Sequence, residues 1–301
     1  MEALAASRTA LATSLMRAAH TRLDPNPLID DPWGDRLVPE AARDLFRKAA
    51  LAGMDAESLK KALASPDTIV DESLRRSRAF AGVIIRTRYA EDALKDAVAL
   101  GLGQYVLIGA GFDSFALRRP AFAADLQIFE IDFPATQNLK IARIKECGLT
   151  LPDSVHFIAA DLSRESVAAA LTRSAFRRDR LTFFSWLGVT MYLTRDANLE
   201  TLRSIASCTP AGSELVFTYF DERLFQAQSA SFHEMEQRVA AMGEPFLSGF
   251  NPQTLPENLA DCGLLLLDDQ SGDEIAARYG RVGKNTLGQS AFSHIALARV
   301  A

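Results

Sequence analysis

The chain reads as an α/β protein with a doubly wound, mostly parallel sheet of about seven strands, a Rossmann-like architecture, and three observations predict it. Short β-rich runs alternate with helical ones from about residue 100 onward. The first five runs are separated by helical stretches, which calls for right-handed crossovers and a sheet covered on both faces. The first strand runs straight into a glycine turn, "YVLIGAGFDS", at the place where open α/β sheets bind ligands.

Taken in order, the strands are read as Tyr105–Ile108, Gln127–Ile131, Val155–Ala159, Leu181–Ser185, Glu214–Tyr219, Leu264–Asp268 and His294–Arg299. The last two are joined by a long connection with little strong helix pattern, and they form a hairpin placing one strand antiparallel at the sheet's end. Before residue 98 the pattern is helical, over about 8–20, 39–52, 56–64 and 71–98, with the turn-rich "DPNPLIDDPWGD" after the first helix. The expected organisation is therefore a helical cover, 1–98, on the α/β core of the same domain, 99–301. Segment 222–258 is expected to join that cover over the strand ends.

Bulk composition narrows the classes. A 301-residue chain with 48% hydrophobic residues supports a sizeable core. With 33 basic and 38 acidic residues the formal charge is −5, which offers no general attraction to nucleic acid or to an anionic membrane. No run approaches a membrane span. The first twenty residues lack the unbroken apolar core of a signal peptide and read as an amphipathic helix, with Leu11, Leu15, Ala18 and Ala19 on one face. Cys147, Cys208 and Cys262 are odd in number, far apart and in no C-x-x-C pair, so a reducing cytoplasm is expected and no disulfide framework or zinc knuckle. His20, His156, His233 and His294 show no metal-ligand spacing, and no metal is expected.

At Gly109 and Gly111 the missing side chains allow close approach to the backbone. Strand two ends in "FEIDFP", where Asp132, 23 residues after Gly109, suits a carboxylate accepting from both hydroxyls of a ribose. At the end of strand three, Asp161 is placed to accept from an adenine amino group and the Leu162 N–H to donate to a ring nitrogen. Two cofactors share this logic. The dinucleotide fingerprint wants a third glycine where this chain has Ser114, and Pro120 keeps the following helix short, a poor platform for a pyrophosphate. S-adenosylmethionine has no pyrophosphate and needs only the close approach.

The motifs "TALATSLMRAAHTRLDPNPLIDDP", "RTRYAEDAL", "VLIGAGFDSFALR", "FEIDFP", "AADLS" and "WLGVTMYLT" occur in this order. In this respect the chain resembles the bacterial S-adenosylmethionine-dependent methyltransferases related to leucine carboxyl methyltransferases. The resemblance spans residue 9 to about 195, and it implies a class I methyltransferase fold. It further implies that Arg17 and Arg88, with Arg86 the neighbouring alternative, hold the methionine carboxylate of the cofactor. Gly109 and Gly111 would pass beneath the cofactor, Asp132 would hold its ribose, and Asp161 with Leu162 would frame its adenine. Leu187 stands where such enzymes often carry Glu, which puts in doubt a polar contact to the cofactor there and any inference that the substrate is a protein phosphatase tail.

The expected reaction is methyl transfer to oxygen on a small-molecule acceptor, the family favouring a carboxylate. A carboxylate is already ionised at neutral pH and needs no general base, and no residue stands out as one. A phenol or alcohol would require one, for which only His20 or His233 comes forward; Tyr192 is a candidate for substrate positioning. The alternatives from other classes are an NAD-dependent oxidoreductase and a non-catalytic adenosine-ligand binding protein. Trp186, Met191 and Tyr192 are expected to be partly core, and Asp30 and Asp31 to be turn residues. Neither the acceptor's identity nor the oligomeric state is legible.

Overall fold

A computed structural model describes residues 6–52, 66–226, 245–279 and 292–301, together with 54, 55, 57, 59, 60, 237 and 287. Seven strands form one sheet: β1 (Gln104–Ile108), β2 (Gln127–Asp132), β3 (Val155–Ala159), β4 (Thr182–Trp186), β5 (Glu214–Phe220), β6 (Leu264–Ser271) and β7 (Ser293–Val300). Their order is β3-β2-β1-β4-β5-β7-β6, with the first five parallel and β7 antiparallel to both its neighbours. The order reverses between β1 and β4, the place beyond whose carboxyl ends open α/β sheets bind their ligands.

The central strands are buried on both faces, which explains their near-continuous apolar runs. Successive side chains alternate between two cores. Val106, Ile108, Phe184, Trp186, Leu215 and Phe217 face one; Tyr105, Leu107, Phe183 and Val216 face the other.

The helices read from the N-terminus are α1 (Arg8–Leu23), α2 (Glu40–Leu51), α3 (Pro66–Arg75) and α4 (Ala79–Ala99). α4 links two layers. Its Ile85, Tyr89, Leu94 and Ala97 pack on the sheet, while Phe80, Val83 and Ile84 join a third cluster with Leu11, Leu15 and Met16 of α1 and with Phe112, just beyond the glycine turn. Between the strands lie α5 (Pro134–Glu146), α6 (Val167–Leu171) and α7 (Arg195–Cys208), and after them come α8 (Leu255–Ala260) and α9 (Gly272–Tyr279). Thr194 caps α7, its hydroxyl accepting from the Ala197 N–H at 3.3 Å.

Two expectations are corrected. The helix read over 71–98 is two, α3 and α4, parted at residues 76–78. Arg75 and Arg78 would crowd like charges three residues apart, and Arg22 holds Asp71 at 2.6 Å, drawing α3 onto α1. The connection after β6 carries α9, where helix pattern seemed weak: Glu274 accepts from the Ser271 N–H and hydroxyl at 2.8 and 2.7 Å, and Ile275 and Tyr279 bury one stripe. Much of the helix expected over 56–64, and residues 227–236 and 238–244 of the second cover segment, His233 among them, lie outside the described residues.

Candidate active site

The glycine turn is tied down from two sides. Gly109 and Gly111 have φ of 68° and 52°, the left-handed region that glycine enters without steric penalty. The Gly109 and Ala110 N–H groups donate to the Ile131 carbonyl at 2.9 and 3.1 Å, and the Gly111 N–H donates to an Asp132 carboxylate oxygen. The other oxygen of Asp132 accepts from the Phe133 N–H at 2.6 Å. Burial pushes the Asp132 carboxyl up, against the two N–H groups and Lys140, which favour its charged form. Close approach at the glycines also has neighbours within the protein: a Cβ on Gly109 would lie 2.5 Å from Val189, and one on Gly111 3.0 Å from Ala10 of α1. The loop after β4 and the first cover helix thus both lean on this turn.

Ser114, at the third-glycine position, is fully buried and its hydroxyl accepts from Arg118 Nε at 2.9 Å. It begins the single helical turn Phe115–Arg118, which ends at Arg119, φ 26°, just before Pro120. The short helix expected there is present. Ala159, at the end of β3, pairs with Asp132, so Asp161 stands at the same sheet end. Asp161 accepts from the Ser163 hydroxyl and N–H at 2.6 and 3.0 Å; these bonds hold its carboxyl below its ordinary range. Leu162 packs against the core beside it.

Of the two arginines on α4, the geometry singles out Arg86. Its guanidinium lies where a Cβ on Gly188 would come within 2.6 Å, in the loop after β4. Among the described residues no carboxylate pairs with it. Burial pushes it down to about 10, with Tyr192 opposing and Arg17 adding to the shift. Arg88, two residues and about 200° further round the helix, is committed elsewhere. It holds Asp92 at 2.7 Å and donates to the Leu28 carbonyl at 3.3 Å. Of the pair, Arg86 is thus the one that no carboxylate neutralises among the described residues, whereas Arg88 is paired.

Arg17 reaches the site but is already paired. Its Nε donates to Asp31 at 2.8 Å and its Nη2 to the Phe112 carbonyl at 2.6 Å, all of it buried. Asp31 also accepts from the Trp33 and Gly34 N–H groups at 3.1 and 3.0 Å. Burial would raise its carboxyl, yet Arg17, Arg118 and Ser114 hold it below its ordinary range. Asp31 is thus both the turn residue expected and the partner of Arg17, which the sequence reading missed; two acids before Pro-Trp-Gly were the signal.

The loop after β4 is pinned by the Gly188 N–H donating to the Thr218 hydroxyl at 2.7 Å and by Asn198 donating to the Thr190 carbonyl at 2.9 Å. Leu187 packs against the α4 side of the sheet. Trp186 and Met191 are buried, whereas Tyr192 is half-buried and meets the Phe246 ring at 5.6 Å. His20 is buried: its Nε2 accepts from the Leu28 N–H at 2.8 Å and its Nδ1 pairs with Asp24. Burial lowers its pKa although Asp24 opposes the shift.

A strand order that reverses between β1 and β4, a glycine turn anchored on a strand-end carboxylate and a second strand-end acid at the same sheet end are the arrangement of a class I methyltransferase fold. Among solved structures the chain resembles a DUF574 family protein from Streptomyces avermitilis MA-4680 (TM-score 0.56, 14% identity, 85% of this chain and 96% of that one). It also resembles a methyltransferase from Thermobifida fusca YX (TM-score 0.54, 13% identity, 85% and 93%). These likenesses show the fold.

The family model for leucine carboxyl methyltransferase matches residues 10–206. A Bacillus subtilis (strain 168) relative, YktD, which carries the name of an S-adenosyl-L-methionine-dependent methyltransferase, is 33% identical over 96% of this chain and 95% of its own length. A Mycolicibacterium gilvum relative named for the same activity is 31% identical over 77% and 71%. The chain belongs to the leucine carboxyl methyltransferase family and is an S-adenosylmethionine-dependent methyltransferase. The nicotinamide and non-catalytic alternatives fall with this assignment. The residues present fit the cofactor: Arg86 offers a cation to a carboxylate, and the strand-end acids offer acceptors to a nucleoside. Among the described residues no helix is long and apolar enough to cross a membrane.

Proposed function

We propose that this methyltransferase acts on oxygen, esterifying a carboxylate of a small molecule. The observation that carries this reading is the state of His20, a candidate base whose two ring nitrogens are taken by the Leu28 N–H and Asp24. Of the other described histidines, His156 faces Gln127 at 3.2 Å and His294 stacks on Tyr219 with Asp269 at 3.3 Å. An acceptor that arrives ionised suits such a site, because no proton has to leave during the displacement.

When bound, S-adenosylmethionine supplies a reactive sulfonium methyl group, so the protein's task is orientation and exclusion of water. In this reading Arg86 holds the cofactor carboxylate, with Arg17 beside it. Gly109 and Gly111 keep the turn low, Asp132 accepts from the ribose, and Asp161 and the Leu162 N–H frame the adenine. Leu187 gives that loop an apolar surface, while Tyr192 with Phe246 lines the acceptor side.

The test is a screen of carboxylic acids with labelled cofactor, followed by base treatment of the product. An alkali-labile ester formed at a rate nearly flat from about pH 6 to 8, since a free carboxyl titrates near 4, is the expected result. A base-stable ether, or a rate climbing with pH as a phenol ionises, would overturn the carboxylate assignment.

A further inference from the structure

Beneath Asp132 lies a buried ion pair. Lys140 of α5 meets Glu130 of β2, with side chains 2% and 1% exposed. Glu130 precedes Asp132 by two residues, so both carboxylates leave the same face of the strand. One Glu130 oxygen binds Lys140, and the other has no hydrogen-bond partner. Lys140 otherwise faces the Phe157 ring at 6.0 Å. Such a pair is a poor stabiliser, because desolvating both ions offsets most of their attraction, and apolar replacements of similar volume are often no less stable.

Its position suggests a different use. α5 begins at Pro134, one residue past Asp132, and folds back so that its second turn carries the cation that pairs with Glu130 of the strand. We infer that Lys140, held by Glu130, is a positioning residue for cofactor binding: it sets a cation under the end of the strand whose Asp132 carboxylate accepts from two ribose hydroxyls. The inference rests on reading Asp132 as the ribose acceptor.

Burial raises both Glu130 and Asp132, and Lys140 is the side-chain cation that opposes the rise in each. The other charged groups at this corner do not substitute for it. Asp113, from the glycine turn, raises Glu130 further. Asp161, from the end of β3, is bound to Ser163 and Arg164, and Arg17, from α1, is committed to Asp31 and the Phe112 carbonyl.

Calorimetric binding of S-adenosylhomocysteine from pH 5 to 8 tests this, comparing the wild type with E130Q, E130Q/K140M and K140R. E130Q leaves the cation without its local anion and should move the acid loss of affinity to lower pH than in the wild type. E130Q/K140M should move that limb back up by about half a pH unit or more, roughly a threefold loss relative to E130Q at the acid end, with its folding stability retained. K140R should keep the wild-type profile. Coincident limbs in E130Q and E130Q/K140M, or affinity lost equally at every pH, would overturn the inference. If the double variant does not fold, an unmoved limb in E130Q overturns it. Wild-type affinity in D132N would instead sink the ribose assignment itself.

Discussion

Replacing Arg86 with methionine should weaken cofactor binding while leaving the fold as stable or more so, and the two opposite effects come from one feature. The guanidinium is set against Gly188 without an anionic partner among the described residues. Burial pushes it down to about 10, which corresponds to roughly 3 kcal/mol held against the charged form, and the apolar side chain relieves that cost. A docked carboxylate reverses the balance: each charge-assisted hydrogen bond contributes about 1.5–3 kcal/mol, so losing one weakens S-adenosylhomocysteine by about ten- to a hundred-fold or somewhat more.

Titration calorimetry with that ligand and with 5′-methylthioadenosine, which lacks the amino-acid carboxylate, isolates the contact, and urea denaturation reads the stability. R86M should bind methylthioadenosine like the wild type. Equal losses for both ligands, or unchanged homocysteine-ligand affinity, would refute the reasoning, as would a large fall in the denaturation midpoint.

Asp31→Asn leaves Arg17 buried without its anion and should cost about 3 kcal/mol or more in denaturation experiments; a loss below 1 kcal/mol would show the pair to be dispensable. Because the Asp31 carboxyl is held low in the fold, its contribution is present above its ordinary 3.8 and lost as pH falls through the lower folded value. His20 works in the opposite sense. Its folded pKa lies below 6.5, so the unfolded chain takes up the proton first and stability declines as pH drops below 6.5. His20→Gln should remove that part of the decline between pH 7.5 and 5.5, and an unchanged slope would assign the decline to other groups.

Much of the fold was legible because its signals are local. Runs such as "YVLIG" and "TFFSW" declare strands by composition, Pro120 stops a helix by its ring, and Gly-Ala-Gly after a strand marks the turn at the switch point. Asp132 and Asp161 were legible because position at a strand end is a property of the chain's own order. Which arginine of "RTRYAEDAL" is left without an acid partner among the described residues was not, since residues 86 and 88 differ only in the direction they leave the helix, and direction is set by how α4 packs between the sheet and α1. The pairing of Arg17 with Asp31, the two ties on His20 and the cation beneath Asp132 likewise depend on contacts between separate segments. Composition determined that charges and histidines were present; only the tertiary structure decided which were already neutralised by a partner and which were left to bind something else, because burial and distance set whether a charge is satisfied.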